Sequence, residues 1–289
     1  MKATSLASIR PLQNTQFWLL AIAGALIAVH LSLIWRFSED LSQFSMGVLC
    51  LGAVLSLLWE KRHTLTLESD AFSSLLGLLL LGFVLFRSWF VVNTDTIFEI
   101  SPFIAGLGLA VLASGVKGVK QYLPELIIIL AFNAPVGLLI DRIDISLLTA
   151  KISTFILSHL GFEVSRQGVN IILPTGAVEV YPGCSGMGSI VRLLRISVVC
   201  LVMFPIDSVK KILVPIAAVL VPFVVNGVRV ALMAFLVAYS SDEAFEYWHT
   251  GTGAEIFFLI SILIFGLFCY FVTQKDDHNN HEPMEFSGS

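Results

Sequence analysis

Charged residues are scarce in this sequence. Only 13% of its 289 residues are Asp, Glu, Lys or Arg, whereas soluble domains carry roughly 25%. Hydrophobic residues make up 56% and the mean hydropathy is +0.88. The lack of charge excludes an ordinary soluble domain, and a net charge of -4 without a basic cluster gives no reason to expect nucleic acid as a partner. The composition predicts an all-α polytopic membrane protein embedded in the lipid bilayer.

Motifs for metals and disulfides are also lacking. The four cysteines, at positions 50, 184, 200 and 269, have neither CxxC nor zinc-site spacing. The chain contains no HExxH motif and no cluster of histidines with carboxylates. We therefore expect neither a metal nor a cofactor, and metalloprotease chemistry is disfavoured. Three cysteines lie in apolar runs, where cysteine is usually a small buried hydrophobe, but Cys184 lies in a polar turn.

What the sequence does have is apolar segments of about 20 residues, the length that crosses a bilayer. The bundle is expected to contain about eight transmembrane helices, over residues 17–35, 42–59, 72–90, 97–115, 122–140, 186–204, 212–239 and 254–273. The seventh segment contains Pro215, Pro222 and Asn226-Gly227, which predict a kinked or broken helix. We find no pair of interrupted helices in corresponding positions, an absence that weighs against a transporter.

The predicted domains follow from these segments. Residues 1–16 form an N-terminal segment, residues 17–275 a transmembrane domain, and residues 276–289 a polar tail for which no order is expected. The segment 141–183 interrupts the pattern of apolar helices. It contains an amphipathic stretch from Asp144 to Leu160 and then β-branched residues around a Pro-Thr-Gly turn, over 169–180, which predict a short hairpin.

The loops carry an uneven distribution of Lys and Arg. With eight spans, nine of these residues lie on the side of the N-terminus, at positions 2, 10, 61, 62, 117, 120, 210, 211 and 275, and four on the other side, at 36, 142, 151 and 166. Because cytoplasmic loops are enriched in positive charge, both termini are predicted to be cytoplasmic. Segment 141–183 and loop 240–253 then face the outside together.

Cys184 directly precedes the sixth apolar segment. Ser185 is predicted to be the N-cap, and the first amides of the helix, from Gly186 onward, lack intrahelical partners. A helix N-terminus favours a thiolate, and the same amides could stabilise an oxyanion. The other interpretation is an inert thiol in a tight turn.

His249 precedes the eighth segment, on the same predicted side as Cys184. Its imidazole could act as a general base and then as a general acid. The alternative is an interfacial histidine among aromatic residues. His30 and His159 are competing candidates, and the carboxylates that could orient His249 are Glu179, Asp242, Glu246 and Glu255.

Four arginines, Arg87, Arg192, Arg195 and Arg229, lie inside apolar segments, where burying the charge costs at least about 2.5 kcal/mol. Arg87 lies near the outer end of the third segment, where its side chain can snorkel to the interface. Arg229 could stabilise a thiolate, an oxyanion or a substrate carboxylate, or it could form a structural ion pair. Arg192 and Arg195 share one helix face. They could line a polar cavity below Cys184 or pair with a carboxylate, the candidates being Glu125, Asp141 and Glu255.

Three motifs in order carry a resemblance: Pro182-Gly183-Cys184-Ser185-Gly186, then Asn226-Gly227-Val228-Arg229, then His249 with Gly251 close by. Together they resemble the exosortase/archaeosortase family of polytopic prokaryotic membrane proteins. The stretch EVYPGCSGMGSIVRLLR, residues 179–195, is most similar to the cyanobacterial branch, the cyanoexosortases of A type. The resemblance covers about residues 17–275.

The resemblance implies a cysteine protease or transpeptidase of the plasma (inner) membrane with its site facing the periplasm. Its partners would be exported proteins ending in a Pro-Glu-Pro-like motif, a transmembrane helix and a basic tail. Carried over, Cys184 is the nucleophile, His249 the acid/base and Arg229 the third essential group. Asn226, Ser185 and Gly186 belong to the motifs, and Arg192 and Arg195 are expected to support them. The residues identify neither water nor an amine as the final acceptor.

Other functions also fit parts of the pattern. Gly183-Cys184-Ser185-Gly186 matches the G-x-S-G turn of rhomboid intramembrane proteases, in which Ser185 would be the nucleophile. An anion transporter would use the three buried arginines and would not need Cys184 or His249. A structural membrane subunit would need none of these side chains.

Overall fold

A computed structural model describes residues 15–38, 41–90, 96–136, 142–204, 206–250 and 252–279. Asp141 and Gly251, two residues considered above, lie outside this part of the chain, as do both ends, 1–14 and 280–289. The chain divides into two compact units, residues 1–135 and residues 136–289.

The secondary-structure elements of the first unit, within its described part, are all helical. Its helices are α1 (Thr15–Ser38), α2 (Leu41–Glu60), α3 (Ala71–Trp89), α4 (Thr96–Gly118) and α5 (Leu123–Asn133), with a 3-10 turn at Val119–Tyr122 between the last two. Gly115, at φ 68°, interrupts α4, at the residue where the sequence predicts the fourth span to end.

One buried ion pair lies inside this first unit. Lys61, which follows α2, donates to the Glu125 carboxylate on α5 at 2.6 Å. Lys61 also contacts the backbone carbonyl of Gln121, and Glu125 is only 3% exposed. Glu125 was one of the expected partners for the buried arginines, but a lysine occupies that role.

The second unit combines helices with a small sheet. Its helices are α6 (Ser146–His159), α7 (Met187–Met203), α8 (Ser208–Tyr239), α9 (Asp242–His249) and α10 (Thr252–Asn279). Between α6 and α7 lie strands β1 (Ser165–Gln167), β2 (Asn170–Leu173) and β3 (Gly176–Glu179), followed by a 3-10 turn at Pro182–Cys184. The predicted amphipathic stretch is therefore helix α6.

The sheet contains the predicted hairpin. Strands β2 and β3 pair antiparallel, with Leu173 opposite Gly176 across the Pro-Thr turn. A third strand, β1, which the sequence analysis did not predict, pairs antiparallel with the other side of β2. Alternate side chains of a strand point to the same face of the sheet, so the apolar residues Ile171 and Leu173 of β2 share one face. On that face they pack against Val230 and Ala234 of α8.

Six stretches within the described residues are long and apolar enough to cross a membrane, compared with about eight expected. They are Trp18–Arg36, Ser42–Glu60, Ala71–Trp89, Thr96–Asn133, Ser208–Tyr239 and Gly253–Thr273. The all-α polytopic class is confirmed. The lower number arises because the fourth and fifth predicted segments form one stretch, Thr96–Asn133, and because α7 has only 17 residues. At 1.5 Å per residue α7 is about 26 Å long, slightly shorter than a hydrocarbon core of about 30 Å.

Three details of the helices differ from the sequence analysis. Helix α8 is continuous over 32 residues with Pro215 and Pro222 inside it, so the broken form of the predicted kinked or broken helix was wrong. Loop 240–253 contains a short helix, α9. Helix α10 continues to Asn279, past Thr273, where the predicted span ends.

Candidate active site

The turn that carries Cys184 is held by its own backbone. The amide of Cys184 donates to the carbonyl of Tyr181 at 2.9 Å, and the amide of Ser185 donates to the carbonyl of Pro182 at 3.2 Å. The Ser185 hydroxyl donates to the same Pro182 carbonyl at 2.7 Å. Pro182 favours this turn because its ring fixes φ near the helical value. The thiol is therefore presented by a rigid turn and is half-buried.

Gly186 connects this turn to helix α7. It is the N-cap residue, with φ 93°, a left-handed conformation that glycine adopts without steric cost. A Cβ at this position would lie 2.7 to 2.9 Å from the side chain of Asn226. Ser185 is thus not the N-cap as predicted, although its hydroxyl accepts from the amide of Met187 at 3.4 Å.

Asn226 fastens α8 to the cysteine turn. Its side-chain amide donates to the carbonyl of Cys184 at 3.0 Å, and the residue is only 4% exposed. The absence of a side chain at Gly186 allows this approach. Asn226 therefore has a structural role, which the sequence motif alone did not specify.

Helix α6 supports both the cysteine turn and helix α8, although no recognised motif lies on it. The Thr149 hydroxyl donates to the carbonyl of Ser185 at 2.7 Å, and the Ser153 hydroxyl donates to the carbonyl of Gly227 at 2.9 Å. A Cβ on Gly227 would lie 2.6 Å from Ile152, so glycine is needed for α6 and α8 to pack this closely. Sequence reasoning missed Thr149 and Ser153, for which the only signal was a row of small hydroxyl residues on an amphipathic helix.

His249 ends helix α9 and faces the thiol. Its Nε2 lies 3.3 Å from Cys184 Sγ. The imidazole stacks on Phe245, with ring centroids 4.9 Å apart and an interplanar angle of 25°. Phe245 precedes His249 by four residues, so the two side chains share one helix face. The ring is oriented by this stacking and by its proximity to Cys184.

Arg229 connects the two halves of the site. Its Nη2 donates to the backbone carbonyl of His249 at 2.6 Å, and its Nη1 lies 3.5 Å from Asn226 Oδ1. The guanidinium thus holds the end of α9 against α8. Its Nε is buried and has no hydrogen-bond partner among the described residues.

Tyr181 is a site residue that the sequence analysis did not select. Its hydroxyl lies 3.5 Å from His249 Nε2, and its ring meets the imidazole edge-on with centroids 6.3 Å apart. A hydrogen bond with the Cys184 thiol, together with the charge that a Cys184 thiolate would carry, raises the pKa of Tyr181 above its usual value, while the Arg229 charge lowers it. The phenol consequently stays protonated at neutral pH and can donate.

These side chains surround a cavity of about 200 Å³. Cys184, His249, Arg229 and Tyr181 form its polar end. The remaining lining comes from β3, α8 and α9 and is mainly apolar, with Val230, Met233, Val237 and Phe245 among its residues. A cavity of this kind, with a few convergent polar groups in an apolar wall, is typical of a binding site for a substrate.

Several predicted candidates do not line this cavity. Arg192 lies 3.9 Å from the Glu255 carboxylate and stacks on Phe258 with its guanidinium 4.2 Å from the ring centroid, so it is a structural residue. Arg195 also lies outside the cavity lining. Of the two alternatives for these arginines, the cavity around Cys184 contains neither residue, and Arg192 instead pairs with Glu255, one of the carboxylates expected.

The competing nucleophile and bases lie elsewhere. Ser185 is 1% exposed and its hydroxyl bonds the Pro182 carbonyl, which contradicts the rhomboid alternative because no histidine contacts it in the described part of the chain. His159 stacks on Phe155, and His30 packs against Phe98.

No carboxylate among the described residues hydrogen bonds to His249. Of the four candidates, Glu246 bonds to Thr250 and Glu255 pairs with Arg192. Glu179 lines the cavity but does not hydrogen bond to the imidazole. The described residues also contain no group of three His, Cys, Asp or Glu that could hold a metal ion. The site is therefore a cysteine–histidine pair with an arginine and a tyrosine.

The arrangement is suited to acyl transfer. A thiol within hydrogen-bond reach of an imidazole is the signature of an activated nucleophile, and a buried guanidinium N–H can stabilise developing negative charge. Comparison with known proteins gives one match: the family model described as transmembrane exosortase (Exosortase_EpsH) matches residues 35–266. No curated protein and no solved structure matches the chain.

Proposed function

Because the chain belongs to the transmembrane exosortase family, we propose that it is a membrane-embedded cysteine peptidase or transpeptidase that cleaves C-terminal sorting signals of exported proteins. Membership implies a multi-pass membrane protein with peptidase or transpeptidase chemistry. The cysteine mechanism is the part of the proposal that rests on this chain's own residues. Assignment to the A-type branch stays a prediction from the sequence of residues 179–195.

The observation that carries the proposal is the distance of 3.3 Å between Cys184 Sγ and His249 Nε2. The two residues are 65 positions apart and come from different elements. An inert thiol in a turn needs no such partner. The pair lies at the polar end of a cavity that also contains Arg229 and Tyr181, so the thiol has both a base and donors around it.

In the first half of the proposed reaction, His249 Nε2 accepts the thiol proton and Cys184 Sγ bonds to the scissile carbonyl carbon. The resulting oxyanion accepts a hydrogen bond from the guanidinium of Arg229, a residue that lines the cavity. Collapse of this intermediate breaks the C–N bond, and His249 donates its proton to the leaving amine. The product is a thioester on Cys184.

In the second half, water or an amine attacks the thioester carbonyl. His249 accepts a proton from this nucleophile and returns it to the departing Cys184 sulfur as the C–S bond breaks. Attack by water makes the protein a peptidase, and attack by an amine makes it a transpeptidase. Both outcomes use the same three side chains, Cys184, His249 and Arg229, because the attacking group arrives from solvent or from an acceptor.

The proposed substrates end in a Pro-Glu-Pro-like motif, a transmembrane helix and a basic tail, as the family resemblance implies. A substrate anchored by a helix presents its motif next to the bilayer. We propose that the protein resides in the plasma (inner) membrane with both termini in the cytoplasm, which puts Cys184 and His249 at the periplasmic face. The excess of Lys and Arg in the loops on the other side supports this orientation.

The direct test uses the full-length protein reconstituted in lipid with such a substrate. We expect a cleaved product, and intact-mass measurement should detect an acyl-enzyme that hydroxylamine releases. Cys184→Ala should abolish both signals. Ser185→Ala is the matched neighbour, and it should retain measurable cleavage because the two hydrogen bonds that it removes, to the Pro182 carbonyl and from the Met187 amide, involve neither the thiol nor the imidazole.

Cleavage that persists in Cys184→Ala would contradict the cysteine mechanism. The orientation has a separate test with a membrane-impermeant maleimide. It should label Cys184 from the periplasmic side of intact cells, with Cys184→Ser as the unlabelled control. Labelling that requires a permeabilised inner membrane would refute the proposed topology.

A further inference from the structure

Strand β3 leads directly into the cysteine turn and forms an edge of the described sheet. Its order is β1-β2-β3, so one side of β3 pairs with β2 and no strand of the described chain pairs with the other. Edge strands present unpaired amides and carbonyls, which can template another strand. The residues that follow β3, Val180 to Cys184, continue into the site.

The register tells which backbone groups point to the free side. The amide of Val180 donates to the carbonyl of Val169, so these two residues form a hydrogen-bonded pair. In an antiparallel ladder such pairs alternate with non-bonded ones. Val178 is therefore bonded to β2, whereas Ala177 and Glu179 direct their N–H and C=O groups away from it. Neither residue has a backbone partner on that side among the described residues.

This free edge borders the cavity. Residues 177–181 line it, together with Phe245 and His249 of α9. The floor is α8, which contributes Arg229, Met233 and Val237. These three residues are spaced by four, so they lie along one face of the helix. The cavity is thus a groove with Cys184 at one end.

The helix face and the strand that line the groove have similar lengths. Arg229 to Val237 spans about 12 Å of helix at 1.5 Å per residue, and residues 177–181 span about 13 Å of strand at roughly 3.3 Å per residue. An extended peptide of about four residues fills the same length. Its backbone would lie against Ala177 and Glu179, and its alternate side chains would contact the apolar floor.

We propose that β3 is the docking strand for the substrate: the extended segment next to the scissile bond adds to its free edge through backbone hydrogen bonds at Ala177 and Glu179. This inference rests on the proposed peptidase function and specifies how its substrate is held. Backbone pairing recognises an extended chain with little dependence on side chains.

The test measures binding separately from chemistry. A fluorescent peptide spanning the cleavage site is titrated against the full-length Cys184→Ala protein in nanodiscs. Ala177→Pro in this background removes one edge amide and leaves the ladder to β2 intact, and proline is tolerated at a strand edge. Because one hydrogen bond contributes about 0.5–1.5 kcal/mol, we expect binding to weaken about two- to twelvefold. The matched control is Glu163→Pro, at an exposed position ahead of β1, which should leave the affinity unchanged.

A second measurement does not depend on the folding of any variant. Peptides N-methylated at single positions are tested with the wild-type protein. If the substrate adds as a strand, methylation weakens binding and raises KM at every second residue on one side of the scissile bond. Equal sensitivity at all positions, or none, overturns strand addition, as does an unchanged affinity in a folded Ala177→Pro protein. Failure of the wild-type protein to cleave the unmodified substrate would instead overturn the proposed function.

Discussion

Thr149 gives a sharp test of how the cysteine turn is held, because it touches neither the thiol nor the imidazole. Its hydroxyl donates to the carbonyl of Ser185 at 2.7 Å, and both residues are almost fully buried, at 0% and 1% exposure. Thr149→Val keeps the side-chain shape and replaces the hydroxyl with a methyl group. The carbonyl of Ser185 then loses its donor, next to the residue that carries out the proposed attack.

Two effects set the expected magnitude. A buried acceptor without its partner costs about 1–3 kcal/mol of stability. The methyl carbon also requires roughly 3.3 Å or more from the oxygen, compared with 2.7 Å for the hydroxyl, so the turn has to move by about 0.6 Å. Since a displacement of about 1 Å can reduce a rate about 100-fold, we expect kcat to fall about 10- to 100-fold with little change in KM.

The assay is substrate cleavage by the lipid-reconstituted protein, with thermal unfolding measured in parallel. Thr149→Ser should restore most of the rate because it restores the donor. Thr154→Val is the matched control, since Thr154 lies on the same helix and its hydroxyl bonds only the Ala150 carbonyl one turn back. A wild-type kcat in Thr149→Val would refute the argument that α6 positions the turn. An equal loss of kcat in Thr154→Val would show that the cause is general destabilisation of α6.

Two further predictions concern other parts of the molecule. Tyr181→Phe should lower kcat/KM about tenfold, the effect of one hydrogen bond worth about 1.4 kcal/mol. The pKa of Tyr181 is raised in the folded protein, so the phenol is protonated and can donate at every pH below the usual tyrosine pKa of about 10. The donor is lost when the pH rises through the higher pKa of the folded protein. The pH–rate profile of the wild-type protein should show this alkaline loss and that of Tyr181→Phe should not; identical profiles would contradict the role. In the first unit, Lys61→Met should destabilise the protein by about 3–5 kcal/mol because it leaves a buried carboxylate unpaired. Chemical unfolding in detergent measures this, and adding Glu125→Gln should recover much of the loss, whereas no recovery would argue against the pair.

The position of Arg229 changes how its contribution is interpreted. From the sequence, Arg229 could stabilise a thiolate, an oxyanion or a substrate carboxylate, or it could form a structural ion pair. The guanidinium instead bonds the His249 carbonyl and approaches Asn226, so it joins the helix that carries the base to the helix that braces the nucleophile. In the proposed reaction the same guanidinium also donates to the oxyanion. One side chain can therefore have a structural and a chemical role.

The membrane class follows from composition, because a bilayer requires long apolar helices and the sequence shows them directly. The hairpin over residues 169–180 was also predictable, since β-branched residues around a Pro-Thr-Gly turn are a local signal. The three motifs with Cys184, Arg229 and His249 could be recognised as a set. What these signals share is that each depends on neighbours in the sequence or on residue type alone.

Only the tertiary structure decided which residues meet. Arg192 and Arg229 look equivalent in the sequence, since each is a cation inside an apolar segment. Their surroundings differ because one lies beside Glu255 and the other beside His249. Thr149 and Tyr181 carried no signal of their own, because a hydroxyl becomes important when a distant backbone or thiol is brought against it. Packing of α6, α8 and α9 around the cysteine turn creates those contacts, and separations of 36 to 68 residues along the chain hide them from a local pattern.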